Sequence, residues 1–513
     1  MNAQLLNYQV PHFYQLEEIL RSQKCALDAS DTGTGKTYIA IAVARSLGLS
    51  PFVICPKSVI PNWIDVAKKF NVKLFGIANY ELLKGCKYYT PNLEKVDCPY
   101  MEKIKTTDKT DCVTNKDITD DYYFSLPNDT IIIFDEAHRC KNYKTMTSKL
   151  LLSICKSAKK ILLLSATISD KIECFKPFGV VFGLYDDTKM FKMWLRKNKK
   201  ARLLQYKKTT MTEDQIYLDI IHTKIFPTFG SRLKIKELGN MFPSNQVTSQ
   251  AYMSANHEEI QRQYDIIQDA FKDLKNKRDR SEGLGRLVLA RCTIEMLKVP
   301  IMLDIIEEAL DSNYSVAVFV NYKDTMYYLA HYFDDCECLI HGDQTMVERQ
   351  DSINAFQSNR SRIIISIIQA GGVGISLHDI HGGHPRMSVI SPTWSGQDMQ
   401  QVLGRIHRAG SQTPALQRIV FCAGTYEQEI CELIQAKLTN ISSINDRDLT
   451  GPKFSDETYE EKKLSSASND KAKQVDSAHI DEVHKVKKFK KIVDKKDKKK
   501  FIKKTHTDDS IKI

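Results

Sequence analysis

Short apolar runs that end in polar or glycine-rich turns, each followed by a helical pattern, recur between residues 5 and 440. Apolar runs bounded by turns are typical of buried strands, and buried strands that alternate with helices indicate a parallel sheet. The first set of predicted strands is 25–29, 52–55, 131–134 and 161–164. The rhythm restarts with predicted strands at 316–320, at 363–368 and from 386 onward. The pattern therefore predicts two α/β units in tandem.

Two stretches of the chain lack this alternation of strands and helices. Residues 186–290 carry a mostly helical pattern, so we expect a helical insertion or a plain connector rather than part of a sheet. Residues 446–513 are polar, and from 451 onward they hold 18 Lys and 12 Asp or Glu, a net charge of +6 (18 − 12). This composition predicts a disordered basic tail. Three roles fit the tail: a solubilising segment, a contact for polyanions, or a nuclear-import signal.

Bulk properties narrow the class of protein. The 513 residues are 42% hydrophobic and 27% charged, which is ordinary for a globular protein, and the length exceeds what a single core accommodates. No long apolar run predicts a membrane-spanning helix, and the N-terminal residues lack the pattern of a signal peptide. The 13 cysteines are scattered, which fits reduced thiols. We therefore expect an intracellular protein, not secreted and without a membrane partner.

A glycine-rich turn after the first predicted strand carries the first candidate chemistry. In CALDASDTGTGKT, residues 25–37, the glycines let backbone N–H groups approach a phosphate, and the N-terminus of the next helix adds partial positive charge. Lys36 would reach the β- and γ-phosphates of ATP, and the Thr37 hydroxyl would bind Mg²⁺. The strict pattern begins with glycine where this chain has Ser30. The predicted nucleotide-binding residues of this loop are Asp31, Thr32, Gly33, Thr34, Gly35, Lys36 and Thr37.

Two carboxylates end the third predicted strand. In TIIIFDEAH, residues 130–138, Asp135 and Glu136 follow four large apolar residues. A charge at a buried strand end needs a partner, and beside a phosphate-binding loop that partner is a magnesium ion. Asp135 is expected to hold Mg²⁺, and Glu136 to orient and deprotonate the attacking water. The alternative is an edge strand followed by a surface turn.

The second unit carries candidate arginines. In GQDMQQVLGRIHRAGSQ, residues 396–412, the pattern predicts a helix that includes Gln401, Arg405 and Arg408. Arg405 and Arg408 would share one helix face, which could simply be a solvated basic face. Because they follow a strand–turn junction of the second unit, we expect them at the γ-phosphate, where an arginine accelerates its transfer by about 10³-fold or more. The site would then be divided between the two units.

The ordered set of motifs resembles helicase superfamily 2. Within it the chain is most similar to the Swi/Snf-type ATPases, through the segments LNYQV, ICPKSVIPNW, NYELLK, DEAH, LLLSAT, QAGGVGISL and GRIHRAGSQ. Swi/Snf-type members usually have Asp at the position of Gly404. Other superfamily-2 helicases have Gly there, as this chain does. The histidine-rich insertion at 378–384 resembles helicases of large cytoplasmic DNA viruses.

The resemblance implies an α/β fold with two tandem RecA-like P-loop domains, each a parallel sheet flanked by helices. It implies domain bounds of 1–185 for the ATP-binding domain and 291–445 for the second RecA-like domain. Residues 186–290 would be the helical insertion and linker, and 446–513 the basic, largely disordered tail.

The resemblance also assigns site residues beyond the phosphate loop and the carboxylates. Gln9 would read the adenine edge, Gly374 would complete the ATP site from the second domain, and Gln401 would link nucleotide state to the domain interface. The residues that would couple the γ-phosphate site to the nucleic-acid track are His138, Ser165, Ala166 and Thr167.

In this architecture the nucleic acid lies across both domains and is contacted through its phosphates, independently of sequence. The candidate contact residues are Lys57, Ser58, Asn79, Tyr80, Ser376 and Trp394. Trp63, Tyr80 and Trp394 are alternatively packing residues, and Lys57 is alternatively a solvated turn residue.

The remaining cysteines and histidines give weaker signals. Cys86, Cys98 and Cys112 lie in a polar insertion without a C-x₂-C spacing, which favours a surface loop over a zinc site. The histidines within 378–384 likewise favour a polar loop between strands over a metal site.

The sequence thus predicts an ATP hydrolase, with ATP and Mg²⁺ as cofactors, that translocates on DNA or remodels annealed strands. A strand-separating DNA or RNA helicase of viral transcription is the first alternative, and a binding scaffold with an inactive ATP site is the second. Intact Lys36, Asp135, Glu136 and Arg405 argue against the scaffold. We expect a monomeric viral protein that prefers DNA to RNA, with transcription or replication machinery as partner. The expected location is the nucleus or, for a viral protein, host cytoplasm or virion.

Overall fold

The computed structural model describes residues 5–431 apart from 91, 108–117, 158–159, 167, 170, 206–211, 239–242, 253, 276–279, 335, 372–374 and 429. The predicted tail, 446–513, lies outside the described residues, as does Cys112. Within the described part, helices and strands alternate as the apolar pattern predicts, and the α/β fold class is confirmed.

The first sheet has strands β1–β5 and β8–β10 in the order β10-β1-β9-β8-β2-β3-β4-β5. Its six strands from β10 to β3 are parallel, whereas β4 and β5 continue it antiparallel. Strands β6 and β7 form a separate antiparallel hairpin. The bounds are β1 Cys25–Asp28, β2 Ser50–Cys55, β3 Gly76–Asn79, β4 Lys87–Tyr89, β5 Lys95–Asp97, β6 Met101–Thr107, β7 Ile118–Phe124, β8 Thr130–Asp135, β9 Lys160–Leu164 and β10 Gly230–Ser231.

The second sheet is parallel throughout its described strands, in the order β11-β16-β15-β12-β14-β13. Their bounds are β11 Asn245–Tyr252, β12 Ser315–Val320, β13 Leu339–Ile340, β14 Ile363–Ile367, β15 Arg386–Ile390 and β16 Ala415–Cys422.

Helices cover the faces of the sheets. Their bounds are α1 Val10–Ser22, α2 Lys36–Ser46, α3 Ile60–Lys69, α4 Tyr80–Lys84, α5 Met146–Ser157, α6 Lys176–Val181, α7 Phe191–Gln205, α8 Glu213–Ile225, α9 His257–Lys275, α10 Arg280–Leu297, α11 Val299–Asp311, α12 Lys323–Tyr332, α13 Met346–Gln357, α14 Ile368–Gly371 and α15 Gly396–Leu403. The helices cover the faces of the sheets but not the edge where the parallel strands end. The candidate residues follow the strands at that edge.

Each sheet is buried on both faces, which explains its continuous apolar strands. In β8, Ile131 and Ile133 pack into the core on one face, while Ile132 and Phe134 pack into the core on the other. Alternate residues of a strand point to opposite faces, so a strand covered on both sides needs apolar residues at every position. This is why the carboxylates appear only where β8 ends.

Two expectations about the connecting segments were wrong. The stretch 186–290 was expected to stand apart from the sheets, but β10 pairs with β1 and β11 pairs with β16. The polar insertion around Cys86 and Cys98 was expected to be a surface loop, but β4 and β5 extend the first sheet there and Cys98 is buried. Both strands β10 and β5 are short edge strands, whose apolar signal is too weak to find by periodicity.

Candidate functional site

The glycine-rich loop joins β1 to α2, as predicted. Gly33 and Gly35 both have positive φ, 90° and 91°, a conformation that side chains disfavour. A Cβ on Gly35 would also lie 2.2 Å from the Gln9 amide nitrogen. The Lys36 ammonium donates to the carbonyls of Ser30 at 2.8 Å and Asp31 at 3.1 Å, so it is folded over the loop.

Residues far along the chain hold this loop in place. The Asp31 carboxylate accepts from the Arg232 guanidinium at 2.8 Å and from the Ile235 backbone N–H at 2.9 Å. The Ser30 hydroxyl accepts from the Leu233 backbone N–H at 2.9 Å. The departure from glycine at Ser30 is thereby explained, because its hydroxyl anchors the segment after β10. No pattern in the sequence indicates these partners.

Gln9 supports the loop from the opposite side. Its side chain is buried, its amide donates to the Thr34 carbonyl at 2.8 Å, and its amide oxygen accepts from the Leu6 backbone N–H at 3.0 Å. The buried Thr34 hydroxyl in turn donates to the Asp31 carbonyl at 2.8 Å. In this arrangement Gln9 positions the phosphate loop, and its role at the adenine stays a prediction.

The carboxylates at the end of β8 lie in a shielded environment. The Trp63 indole donates to the Asp135 carboxylate at 2.9 Å, and the Tyr80 hydroxyl donates to the Asp135 carbonyl at 2.7 Å. Burial, together with the neighbouring Glu136, raises the pKa of Asp135 to about 6, although Trp63 and Lys36 oppose the shift. Glu136 has φ 54°, a left-handed conformation that turns its side chain away from the strand direction.

These contacts decide two of the predictions about aromatic residues. Trp63 is fully buried, so its packing role is confirmed, and it also orients the Asp135 carboxylate. The prediction that Tyr80 contacts nucleic acid was wrong for this arrangement, because its side chain is 2% exposed and its hydroxyl is bonded beneath the carboxylates.

A chain of polar side chains crosses from the first sheet to the second. The Gln401 amide donates to His138 Nε2 at 3.2 Å. The proton of a neutral imidazole then resides on Nδ1, which lies 3.1 Å from the Ser165 hydroxyl and 3.3 Å from the Glu136 carboxylate. The structure thus brings Glu136, His138, Ser165 and Gln401 together, while Ala166 is buried beside them in sequence.

The predicted arginine-bearing helix is shorter than expected. Helix α15 ends at Leu403, so Arg405 and Arg408 lie in the segment after it and share no helix face, which corrects the prediction. Gly404 caps the helix and ends it. Arg405 is nevertheless buried and donates to the Ile375 carbonyl at 3.1 Å.

Both arginines face the carboxylates of the first sheet. Burial lowers the pKa of Arg405 to about 10, and the nearby Glu136 and Asp135 oppose that shift. Burial lowers the pKa of Arg408 to about 9, Arg405 adds to the effect, and Glu136 opposes it. Both guanidiniums stay charged near neutral pH. We call the part of the chain around the first sheet the first half, and the part around the second sheet the second half. Cations of the second half thus act on anions of the first.

The two halves touch at the phosphate loop itself. A Cβ on Gly33 would lie 2.8 Å from Arg408 Cγ, and a Cβ on Gly404 would lie 2.0 Å from the Thr32 hydroxyl. Beside them, the Lys141 ammonium donates to the Gln397 amide oxygen at 2.5 Å. The sequence did not single out Lys141 or Gln397, which form part of the same interface as His138 and Gln401.

The remaining nucleic-acid candidates are scattered. Lys57 is exposed and Ser58 half-buried on the turn after β2, and the Asn79 side chain accepts from the Leu82 N–H, capping α4. Ser376 accepts from Arg408 at 2.7 Å. Trp394 is half-buried, with the Arg291 guanidinium 4.2 Å above its ring.

The remaining predictions concern two site residues, metal sites and membrane-spanning helices. Thr167 and Gly374 lie outside those residues. In the part of the chain that is described, no group of three or more His, Cys, Asp or Glu has the proximity of a metal site. Of the helices so described, none is both long and apolar enough to cross a bilayer.

The phosphate loop, the paired carboxylates and the opposed arginines define a P-loop ATPase built from two RecA-like halves. Residues 2–170 match the family model described as "Type III restriction enzyme, res subunit". Residues 298–410 match the model "Helicase conserved C-terminal domain".

A viral relative extends this match over most of the chain. "Putative ATP-dependent RNA helicase L364" of Acanthamoeba polyphaga mimivirus is 38% identical over 468 residues, 88% of this chain and 86% of that protein. The chain belongs to helicase superfamily 2 and is an ATP-hydrolysing member of it. The predicted likeness to helicases of large DNA viruses is thereby confirmed.

Other similar proteins are more distant. The Xenopus laevis "SWI/SNF-related matrix-associated actin-dependent regulator of chromatin subfamily A-like protein 1" is 23% identical over 80% of this chain and 41% of that protein. Two solved structures are also similar. The "Sulfolobus solfataricus SWI2/SNF2 ATPase core in complex with dsDNA" is 18% identical, with TM-score 0.35 over 88% of this chain and 94% of that one. "S. cerevisiae Dbp5 bound to RNA and ADP BeF3" is 14% identical, with TM-score 0.41 over 84% and 91%.

Proposed function

We propose that this ATPase translocates on duplex DNA or remodels annealed strands, using one Mg²⁺·ATP site shared by its two halves. The observation that carries the proposal is the contact between the two halves at the predicted ATP site, where Gln401 donates to His138 at 3.2 Å and Arg408 lies against Gly33 of the phosphate loop. A site assembled from two halves makes hydrolysis depend on their arrangement, which is the requirement for converting hydrolysis into movement.

The oxygen-rich donor set fits a magnesium ion. The Thr37 hydroxyl and the Asp135 carboxylate would hold Mg²⁺, with Lys36 at the phosphates. Bound Mg²⁺ would neutralise charge on the phosphate oxygens. Glu136 would accept a proton from the attacking water while His138 fixes its orientation at 3.3 Å.

Arg405 and Arg408 would stabilise negative charge that develops during phosphoryl transfer. Gln401 would report that event across the interface, because its partner His138 also contacts Ser165 at the end of β9. Lys57, Ser58, Asn79 and Ser376 are the proposed contacts to phosphates of the track. A monomer that works beside transcription or replication machinery, in the nucleus or in host cytoplasm and virion, remains the prediction.

The test compares ATP hydrolysis without nucleic acid and with single-stranded DNA, duplex DNA or RNA. Duplex DNA is expected to stimulate most. Lys36→Ala and Glu136→Gln should each abolish hydrolysis, with the second variant still binding ATP. The same rate under every condition would refute a nucleic-acid-driven cycle, and absence of turnover would favour a binding scaffold.

A strand-separating helicase is the second candidate, favoured by the name of the mimivirus relative, which describes an RNA helicase. Strand displacement and triplex displacement measured side by side distinguish the two. Duplex translocation predicts removal of the third strand from a triplex. Unwinding without triplex removal would reject duplex translocation in favour of strand separation.

A further inference from the structure

Helix α7 carries an unusual concentration of positive charge. Its sequence, FKMWLRKNKKARLLQ, contains six Lys or Arg and no Asp or Glu. The functional site described above uses none of these residues. The question is therefore what a purely cationic helix on the first half of the molecule contacts.

One face of α7 packs against the core of the first half, and the opposite face is exposed and carries cations. Phe191 and Leu195 are buried in the core of the first half, and Trp194 stacks on Phe191 with ring centroids 6.3 Å apart. The exposed residues of the opposite face are Lys192, Met193, Arg196, Lys197 and Lys200. At 3.6 residues per turn they cover an arc of about 140°.

The cations along the border of these faces are already neutralised. Lys199 pairs with Glu213 at 2.8 Å, and Arg202 pairs with the buried Asp219 at 2.6 Å. We define the basic face as Lys192, Arg196, Lys197 and Lys200. Ion pairs therefore attach the border of α7 to α8, and the basic face points outward.

A neighbouring cavity of 430 Å³ extends the basic face. It is lined by Lys171, Lys192 and Arg196, together with Glu173, Asp214 and Tyr217. Glu173 is paired with Lys176, which reduces its ability to repel an anion. The cavity wall thus adds Lys171 to the four cations of the basic face, and Asp214 adds one carboxylate to the same wall.

We propose that the basic face of α7 is a second contact for the phosphate backbone of nucleic acid, outside the cleft between the two halves. This inference rests on the proposed function, which supplies nucleic acid as the partner. Lys192 to Lys200 span about 12 Å at 1.5 Å per residue. One strand of a duplex presents a phosphate about every 3.4 Å along its axis, so the face matches a short run of phosphates.

The basic face should strengthen binding without affecting the chemistry, because its four cations take part in none of the contacts described at the ATP site. Each phosphate contact contributes about 0.9 to the slope of log affinity against log salt concentration. Four lost contacts would lower the slope by up to about 3.6, and affinity at low salt would fall about tenfold or more.

The test replaces Lys192, Arg196, Lys197 and Lys200 with glutamine together. The matched control replaces Arg45, Lys68, Lys69 and Lys73 with glutamine, one Arg and three Lys that are exposed on the other side of the first half. Affinity for a duplex of about four helical turns is measured by fluorescence anisotropy across a salt series. ATP hydrolysis at saturating duplex is measured in parallel, and circular dichroism checks folding.

The α7 variant should bind the duplex about tenfold more weakly, with a smaller salt slope, and keep its maximal ATPase rate. Affinity and slope equal to those of the control variant would overturn the inference. A second result would also overturn the inference: polyglutamate displaces the parental chain from the duplex, yet the α7 variant binds the duplex as tightly as the parental chain. That result would assign the face to an acidic protein. Failure of the proposed function is distinguishable, because the parental ATPase would then not respond to nucleic acid.

Discussion

At the scale of single residues, the site works by placing opposite charges where water is scarce. Burial favours the neutral forms of Asp135, Arg405 and Arg408, yet each group keeps an opposite charge nearby that favours ionisation. A low-dielectric setting strengthens these interactions with a developing charge. Arg405 is the residue whose removal tests this most directly.

We expect Arg405→Ala to lower the rate of ATP turnover by about 10³-fold while leaving nucleotide binding largely intact. The reason is that its buried guanidinium is kept charged by Glu136 and Asp135 and would stabilise the charge that develops during the reaction. Steady-state ATPase and a fluorescent-nucleotide titration separate the two quantities. Arg418→Ala serves as control, since Arg418 pairs with Glu308 elsewhere on the second half. Equal rates in the two variants would remove Arg405 from the reaction.

Asp28, at the end of β1, gives a prediction about pH. Burial raises the pKa of this carboxyl, but His12 at 3.0 Å and the Ser30 N–H at 3.0 Å outweigh burial and hold the pKa below its ordinary 3.8. A depressed pKa stabilises the fold above pH 3.8, and that stability is lost as pH falls through the folded-state value.

Asp28→Asn should therefore lower the free energy of unfolding at pH 7 by about 3–5 kcal/mol, the cost of breaking a buried pair. The difference from the parental chain should shrink once pH drops below 3.8. Urea denaturation at several pH values measures both. Asp129→Asn, at an exposed turn, is the control. A variant as stable as the parental chain at neutral pH would contradict the assignment.

At the scale of elements, α15 and the segment after it form the contact between the two halves. Gln397 and Gln401 lie one turn apart on α15 and reach Lys141 and His138 on the first half. Gly404 ends the helix where the phosphate loop approaches. The absence of a side chain at Gly404, the departure from the Swi/Snf pattern, leaves room for Thr32.

Gly404→Ala should slow ATP turnover about tenfold, because its Cβ would meet the Thr32 hydroxyl at 2.0 Å and the Thr32 Cβ at 2.8 Å and hold the halves apart. Thr32→Gly in the same chain removes both obstructing atoms and should restore part of the rate. Gly342→Ala is the control, since no atom lies within 4 Å of its Cβ position. If Gly404→Ala and Gly342→Ala turn over ATP equally, closure at Gly404 is unimportant.

At the scale of the whole molecule, the proposed function has one interface serve both ligands. The ATP site is divided between the two halves, and the proposed nucleic-acid contacts also come from both halves. Any ligand that favours the closed arrangement must then favour binding of the other. Coupling of this kind is reciprocal by thermodynamic necessity.

We expect ATP to raise the affinity of the Glu136→Gln variant for duplex DNA by about 5- to 150-fold, and duplex DNA to raise its affinity for ATP by the same factor. The variant is used because it should hold ATP without consuming it. Two anisotropy titrations, each with and without the other ligand, give the factors. Adding Gln401→Ala should bring the factor towards one, since it removes the contact to His138. Affinities that ignore the second ligand would rule out coupling through this interface.

Local patterns in the sequence predict the parallel strands of both sheets and the positions of the phosphate loop and the paired carboxylates. Long buried strands need apolar residues at every position, and a phosphate loop needs glycines at fixed spacing, so both leave a local pattern that can be found without neighbours. Asp135 and Glu136 were predicted where a strand ends, and Lys36 where a helix begins after the glycine-rich turn, and the structure puts them there.

The distant residues that contact that site are visible only in the folded chain. Arg232 on Asp31, Trp63 on Asp135, and Lys141 on Gln397 are contacts between residues far apart in sequence. Tyr80 became a buried support, and the predicted arginine helix ended before Arg405. Such contacts follow from packing of whole elements, and a single polar side chain carries no periodic signal of the partner that packing will bring to it.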